Sequence, residues 1–236
     1  MLQTENDWNL NTRISGLVDT TVEEICSEYA SNPYKFYTEN DLVCLFYQTF
    51  NLKLGNYEVA DVNGKKHSIV HTEYPTPFRC DMCGYEFCIK EDHDATPRGG
   101  KYGRGHYDVV ILNPSFIQQL TRNELRAQNY ELYKKNVLPK IYPGNPIVLY
   151  GLEFIFNRNK VNSSNSAEIL SKIIMQDHNK LIQSANPYPH TLGHSGFMLK
   201  YKTLVFFESN GYSEHIEKRL DDKENIKLCY PAHSII

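Results

Sequence analysis

The sequence has no long hydrophobic run, no marked excess of charge and no internal repeat. Its longest apolar stretches, such as Ile147–Tyr150, are far too short to cross a bilayer. The first residues are polar and acidic and do not resemble a signal peptide, so we expect a cytoplasmic chain with no membrane partner. A formal net charge of −3 argues against a protein that coats nucleic acid nonspecifically. It still allows an enzyme that binds nucleic acid in a local groove.

Cysteine is not abundant, with six residues in a chain of 236, and no export signal accompanies it. The cysteines are therefore expected to be reduced thiols or metal ligands, and not a disulfide framework. The chain is long enough to bury a substantial core in one domain without such support. Hydrophobic residues at 41% and charged residues at 22% are ordinary for a globular protein.

The sequence does contain an alternation of helical and strand-like segments. Residues 1–19 have weak periodicity and are expected to form a loose arm, after which Thr20 or Thr21 caps a helix to about Tyr29. Asn63-Gly64 predicts a tight hairpin turn. Further helices are predicted after Thr38 and over 115–136, 165–185 and 213–223, strands over 57–62, 66–73, 106–112, 147–156, 196–201, 203–208 and 226–230, and an irregular insertion over 78–105. This order indicates a mixed α/β layout.

Two carboxylates interrupt strand-like segments. Asp108 is the only acid in His106–Leu112, and Glu153 is the only acid in Leu149–Phe156. Burial of one bare carboxylate among apolar residues costs several kcal/mol or forces its protonation. Two of them on neighbouring strands would repel each other unless a cation neutralised them, and Mg²⁺ is the simplest such cation. Equally, each acid could cap a strand end or pair with a basic residue such as Arg104 or Arg158.

Several segments, taken in order, resemble a branch of the PD-(D/E)XK nuclease superfamily. The last of them is similar to the D-x-x-K-L helix that follows the catalytic strand in that branch. The segments are Thr38–Tyr47, Val70–Thr76, Gly103–Pro114, Leu152–Phe154 and Gln176–Leu181. The resemblance implies a restriction-endonuclease-like α/β fold, with a mixed β-sheet flanked by helices over residues 38–236, preceded by an arm and helix over residues 1–37.

At matching positions, the resemblance makes Asp108 the first metal ligand and Glu153 the second. Glu39 takes the place of the family's helix acid and completes the shell around Mg²⁺ or Mn²⁺, directly or through water. In that chemistry the ion activates a water molecule for attack on a phosphodiester and stabilises the charge that develops on the phosphate.

The E-x-K signature of the superfamily is altered, because the sequence reads Glu153-Phe154-Ile155. Residues two apart on a strand share a face, so Ile155 takes the place of the lysine that contacts the scissile phosphate. Members of the superfamily sometimes supply this lysine from another element. Lys180 and Lys172 on the next helix are candidates, and Lys180 lies in the matching motif. The alternative is a degenerate site that binds without cutting.

A second set of candidate ligands lies in the insertion, at about residues 78–95. Cys80, Cys83, Cys88 and His93 have the spacing C-x2-C-x4-C-x4-H. C-x2-C allows two thiolates to bind one ion from a tight turn, and four such ligands are typical of structural zinc. The pattern favours a zinc-knuckle-like loop over the alternative, which is three reduced cysteines and a surface histidine.

A basic glycine-rich loop comes immediately before the strand of Asp108. It contains Arg98, Lys101, Tyr102 and Arg104. Such a loop can bind phosphates through its cations and backbone while its tyrosine stacks on a base. It is not a P-loop or a dinucleotide fingerprint, because it precedes a strand and not a helix. A flexible, solvated turn is the alternative.

Together these features predict a Mg²⁺-dependent endonuclease that hydrolyses DNA. The second hypothesis is a catalytically degenerate module of the same fold, which binds nucleic acid or a protein partner without cutting; Ile155 favours it. The third is a zinc-stabilised interaction protein with no role on nucleic acid. Related enzymes often work as dimers, so a homodimer stays open.

Overall fold

The computed structural model describes residues 5–83, 86–90, 104–126, 135–140, 145–159, 163–185, 197–208 and 213–232. Within these residues the chain is an α/β protein whose six-stranded mixed sheet is flanked by helices. The helices are α1 (Glu5–Ser31), α2 (Glu39–Leu54), α3 (Pro114–Ile117), α4 (Arg122–Leu125), α5 (Ser164–Ala185) and α6 (Ser213–Glu217). The strands are β1 (Glu58–Ala60), β2 (Lys66–Ser68), β3 (Val70–Cys83), β4 (Glu86–Lys90), β5 (Arg104–Leu112), β6 (Val148–Asn157), β7 (Met198–Phe207) and β8 (Ile226–Cys229). None of the described helices is both long and apolar enough to cross a membrane.

The main sheet has the strand order β4-β3-β5-β6-β7-β8. The pairs from β4 to β6 are antiparallel, and β6, β7 and β8 run parallel. β6 lies in the interior of the sheet and is buried along nearly its whole length, which explains its almost continuous apolar sequence. A charged residue on this strand is therefore held in a nearly dry environment.

Each face of the sheet has its own apolar cluster. The larger cluster packs α1 and α2 against the sheet, and the rings of Phe46 and Phe154 lie 6.0 Å apart within it. The smaller cluster packs α5 and α6 and contains Ile155 and Ile174. Phe154 and Ile155 are consecutive, so their side chains leave the strand on opposite faces. β6 thus joins both halves of the core.

The first helix is longer than expected. The predicted loose arm over residues 1–19 is wrong from Glu5 onward, because α1 begins there. Ile14, Val18 and Val22 recur every fourth position and are each 0% exposed. One narrow apolar stripe therefore fixes the helix on the sheet, and the polar residues around it hide the period in the sequence.

Thr20 and Thr21 do not cap this helix. Their hydroxyl groups donate to the carbonyl oxygens of Gly16 and Leu17, at 2.8 and 2.7 Å. A threonine inside a helix can satisfy its hydroxyl group in this way, so the residue type alone does not mark a helix start.

The second helix begins after Thr38, as predicted. The Thr38 hydroxyl accepts from the Asp41 N–H, and the Asp41 carboxylate accepts from the Thr38 N–H at 2.8 Å. This capping box satisfies two of the unpaired groups at the helix start. Gly55 closes the helix with φ +71°, a conformation that glycine adopts without a Cβ clash.

The hairpin predicted at Asn63-Gly64 is confirmed, since β1 pairs with β2 and Gly64 has φ +74°. The helix predicted over 165–185 is confirmed as α5, and the strand predicted over 147–156 is confirmed as β6. Their long regular patterns make these elements easy to predict.

Other boundaries differ from the prediction because of pairing between distant segments. β3 continues to Cys83 and pairs with β4, so part of the expected irregular insertion is a β-hairpin. The strands expected over 196–201 and 203–208 are one strand, β7, because β6 pairs with it without interruption. The helix expected over 213–223 ends at Glu217.

The helix expected over 115–136 begins instead as two short helices, α3 and α4. The Thr121 hydroxyl accepts from the Glu124 N–H, and the Glu124 carboxylate accepts from the Thr121 N–H. This second capping box starts a new helix inside the predicted one. Residues 127–134 lie outside the described part of the chain.

Candidate active site

The candidate site lies where β5 and β6 separate. The ladder between these strands ends at the pair Val109 and Leu152, although both strands continue beyond it. Asp108 and Glu153 are the next residues on the two strands. The structure therefore brings together the two carboxylates that the sequence singles out.

Asp108 is fixed by the backbone of the neighbouring strand. The Phe154 N–H donates to Asp108 Oδ2 at 2.7 Å, in the place where a strand carbonyl would otherwise accept. Burial raises the pKa of the Asp108 carboxyl above its ordinary value, while the Phe154 amide and Lys180 oppose that rise. The carboxylate is thus oriented and partly desolvated, as a metal ligand should be.

Glu153 is the most buried acid of the site, with 2% of its surface exposed. Burial raises its pKa well above the ordinary value; Lys180 opposes the rise, and Asp108 and Asp177 add to it. Oε1 of Glu153 lies 2.9 Å from the Lys180 Nζ, but the contact is poorly directed and Oε1 accepts no well-oriented hydrogen bond from the described residues. One oxygen of this carboxylate is therefore only partly satisfied.

Lys180 supplies the positive charge of the site from α5. It is 6% exposed, and its Nζ lies 3.6 Å from Asp177 Oδ1 as well as beside Glu153. Burial alone would lower the pKa of Lys180, but Glu153 and Asp177 outweigh it and raise the pKa above the ordinary value. The ammonium therefore stays protonated at neutral pH.

We call the place where β5 and β6 separate, at Asp108 and Glu153, the fork. Two other residues considered from the sequence, Ile155 and Lys172, do not reach the carboxylates there. Ile155 is 8% exposed and packs in the smaller apolar cluster. Lys172 pairs with Glu168 at 2.8 Å, and both of these side chains are 52% exposed. Of the lysines considered from the sequence, only Lys180 reaches the carboxylates.

Asp177 is a site residue that the sequence analysis did not select. It lies three positions before Lys180 on the same face of α5, and burial raises its pKa. The signal was present, because Asp177 is the first residue of the D-x-x-K-L motif. Its carboxylate therefore helps to position the Lys180 ammonium.

His178 anchors this part of α5 to the sheet. It is 0% exposed, and its ring contacts Thr203 Oγ1 at 3.0 Å and Asp222 Oδ2 at 3.2 Å. Burial lowers the pKa of His178, against the effect of Asp222. The anchor limits how far Lys180 can move from Glu153.

Glu39 stands at the rim of the fork, as the first residue of α2. Desolvation at the carboxyl end raises its pKa to about 7, the charges of Asp108 and Asp177 add to the rise, and the Phe156 amide opposes it. The residue as a whole is exposed, so solvent weakens these effects. Its position suits a ligand that acts through a water molecule.

The site fits a hard divalent ion that keeps several of its own waters. The donors are carboxylate oxygens, and Glu153 Oε1 is buried without a well-directed partner. Among the described residues, no group of three or more His, Cys, Asp or Glu side chains is arranged to hold a metal ion. Mg²⁺ is usually bound by one or two carboxylates with water completing the shell, and Asp108 and Glu153 are ligands of that type.

The predicted zinc ligands lie only partly in the described residues. Cys80 and Cys83 are on β3 and Cys88 is on β4, where the backbone register pairs Asp81 with Cys88. His93 lies outside the described residues. The antiparallel hairpin brings the backbone of the three cysteines together.

The basic glycine loop also lies mostly outside the described residues, with Arg98, Lys101 and Tyr102 in the segment 91–103. Arg104 begins β5 and pairs through its backbone with Arg79.

Comparison of the chain with protein-family models, curated proteins and solved structures found no match.

Proposed function

We propose that the chain is a Mg²⁺- or Mn²⁺-dependent nuclease of restriction-endonuclease-like fold, which hydrolyses phosphodiester bonds in DNA. The observation that carries the proposal is the contact of 2.9 Å between Lys180 Nζ and Glu153 Oε1, beside Asp108. Phosphodiester hydrolysis needs carboxylates that hold a divalent ion and a cation that stabilises the charge on the phosphate. The fork supplies both types of group, with the lysine on a helix and not on the strand.

In this mechanism Asp108 and Glu153 would hold the ion, with Glu39 acting through a water ligand. A bound divalent ion supplies an activated water molecule and positive charge at the phosphate. Lys180 donates to a non-bridging phosphate oxygen and orients the attacking water. Asp177 and His178 act on Lys180 indirectly, by restricting the position of the ammonium and of α5.

A cleavage assay tests the proposal on plasmid, linear and single-stranded DNA and on RNA, with Mg²⁺ or Mn²⁺. Asp108→Asn is expected to abolish cutting, and Lys180→Met to slow it by about 100-fold or more. Lys172→Met is the matched control, because Lys172 is an exposed lysine on the same helix. Failure of the folded wild-type protein to cut any substrate, or equal loss in Lys172→Met, would contradict the assignment.

Ile155 favours a second function, because this packed apolar residue takes the position of the strand lysine in the E-x-K signature. In that case the fold binds nucleic acid, or a protein partner, and does not cut. The two functions differ in one result: the binding module retains a labelled oligonucleotide in the presence of Mg²⁺ without shortening it.

We also propose that Cys80, Cys83, Cys88 and His93 bind one structural zinc ion. Support comes from the C-x2-C spacing and from the hairpin that carries the three cysteines. Elemental analysis of purified protein should find about one zinc per chain, a typical content for four ligands. Cys83→Ser should lose that zinc, whereas Cys44→Ser, which changes an exposed free cysteine, should keep it.

A further inference from the structure

One edge of the candidate site carries an aromatic side chain that packing does not explain. Tyr37 is 75% exposed, and Tyr34, in the turn before it, is 67% exposed. Single exposed apolar residues are common on protein surfaces and need no explanation by themselves. The backbone around Tyr37, however, is held more firmly than an incidental surface residue requires.

Four contacts fix the segment that presents Tyr37. The Asp41 carboxylate accepts from the Tyr37 N–H at 2.7 Å and from the Thr38 N–H at 2.8 Å. The Arg158 guanidinium donates to the Tyr37 carbonyl oxygen. The preceding Phe36 is buried, with its ring 5.6 Å from that of Tyr29. The ring of Tyr37 thus projects into solvent from a rigid base.

Arg158 adds a positive charge at the same place. Its guanidinium lies 5.6 Å from the centre of the Phe156 ring, and its charge acts on the Asp41 carboxylate. Among the described residues no carboxylate oxygen lies within ion-pair distance of it. A guanidinium has five N–H donors, so most remain available after the bond to Tyr37. Arginine in this state is suited to contact a phosphate.

Glu39 connects the tyrosine and the arginine to the carboxylates of the fork. Glu39 follows Tyr37 by two residues, so their Cα atoms are within about 7 Å of each other. The carboxyl group of Glu39 is in turn close enough to Asp108 and Asp177 for their charges to act on it. A nucleic-acid strand cut at Asp108 and Glu153 would pass over this rim.

We propose that Tyr37 and Arg158 form a binding site for one unpaired nucleotide, with the base stacked on the Tyr37 ring and a phosphate held by Arg158. This inference rests on the proposed function and deepens it. A base can lie on an aromatic face only when it is unstacked from its own neighbours, as in single-stranded segments. The substrate is therefore a nucleic acid with unpaired nucleotides at the cleavage point, and not a fully paired duplex.

Fluorescence anisotropy tests the site without any need for cleavage. Full-length protein is titrated, in EDTA, with a labelled single-stranded oligonucleotide and with the duplex of the same sequence. Tyr37→Ala should weaken single-strand binding by roughly 5- to 100-fold, the usual range for the loss of one stacked base. Tyr37→Phe keeps the ring and should bind within about twofold of wild type, since stacking needs only the π-face.

Two further variants distinguish base stacking on Tyr37 from phosphate contact by Arg158 and from the loss of any exposed tyrosine. Arg158→Gln should reduce the dependence of log affinity on log salt by about one phosphate contact. Tyr47→Ala is the matched control, because Tyr47 is also a partly exposed tyrosine, 37% exposed, but lies further along α2. It should bind as wild type.

Each outcome decides the inference. Duplex binding as tight as single-strand binding, equal affinity in Tyr37→Ala, or no binding of either probe would overturn it. A change in self-association of Tyr37→Ala, measured by light scattering, with unchanged oligonucleotide affinity would also overturn it and assign the rim to a second copy of the chain. Tyr37-dependent binding of single strands without cutting would keep the stacking site and refute only the nuclease.

Discussion

At the scale of single residues, the site depends on one positive charge, that of Lys180, beside three carboxyl groups. Lys180 faces Glu153 and Asp177 and also acts on Asp108, so its charge offsets one buried acid and two partly buried acids. A pair of charges that is removed from water gives little net stability, but removal of one partner leaves the other without compensation. The lysine is therefore important for folding as well as for chemistry.

Lys180→Met should lower the free energy of unfolding of the metal-free protein by about 3 kcal/mol at pH 8, because Glu153 is left buried without its compensating cation. The loss should shrink at pH 5, where Glu153 can take up a proton. Urea titration at the two pH values measures it. Lys180→Met with Glu153→Gln should recover much of the loss; a double variant weaker than the single one would contradict this account.

His178 should make the protein sensitive to acid. Its pKa is below the ordinary value because it is buried, so the folded state binds fewer protons than the unfolded state. The resulting stability is complete well above the ordinary histidine pKa of about 6.5 and is lost as pH falls below it. His178→Gln should make the melting temperature depend less on pH between pH 7 and pH 5. The variant should also melt at a lower temperature than the wild type. An unchanged slope would show that another group is responsible.

The sequence identifies most of the site at this scale but not all of it. Asp108, Glu153 and Lys180 could be selected because each is a charged residue in a matching motif. Asp177 belongs to the same motif as Lys180, but its role is recognised only from the face of α5 that the two residues share. Tyr37 and Arg158 are far apart in sequence, and only the capping box of α2 and the path of β6 bring them together.

At the scale of elements, the ends of the helices are set by local chemistry and can be tested separately. Gly55 adopts φ +71° where α2 ends, whereas Gly16 lies within α1. At both glycines the position that a Cβ would occupy is free of neighbouring heavy atoms within 4 Å, apart from the adjacent backbone. Both sites therefore have room for a methyl group, and only the backbone conformation distinguishes them.

Gly55→Ala should therefore destabilise the protein by about 1 kcal/mol, because an L-residue is strained at this φ. Gly16→Ala should stabilise it by up to about 1 kcal/mol, because alanine favours the helix. Urea denaturation of the two variants measures these opposite shifts. Equal signs for the two substitutions would show that the helix ends are not controlled by backbone conformation.

β3 and α1 show why the sequence predicts the presence of helices and strands better than their boundaries. The proline at position 75 predicts the end of the strand over 66–73, but β3 passes through Pro75 because β5 pairs with it on one side. α1 has a narrow apolar stripe among polar residues, which gives little signal until the sheet that it covers is known. In both cases pairing with a distant segment outweighs the local propensity.

At the scale of the whole molecule, α1 is part of the core of the sheet. The Tyr29 hydroxyl donates to the Phe207 carbonyl oxygen at 2.9 Å, and Ala232 N–H donates to Ala30 O at 2.8 Å. These bonds tie the first helix to β7 and to the segment after β8. The two ends of the described chain should therefore unfold together.

Ile14→Ala should lower the free energy of unfolding by about 2–5 kcal/mol, as expected for a fully buried side chain. The loss should appear in one transition, seen equally by far-UV and near-UV circular dichroism, because α1 unfolds with the sheet. Arg13→Ala, at the adjacent exposed position, should change little. A separate early transition in Ile14→Ala would instead indicate that α1 unfolds alone.

The parallel pairing of β6 with β7 affects how quickly the chain can reach its native state. Val148 pairs with Met198, and the segment that separates these two residues in the sequence includes the whole of α5. The two strands therefore pair only after a long loop has closed. Contacts between such distant residues form slowly, because the entropy of closing the loop is lost first. During that delay the apolar segment Val148–Asn157 is exposed and can associate with other chains. Refolding yield should consequently fall as protein concentration rises, even under conditions where the native state is stable.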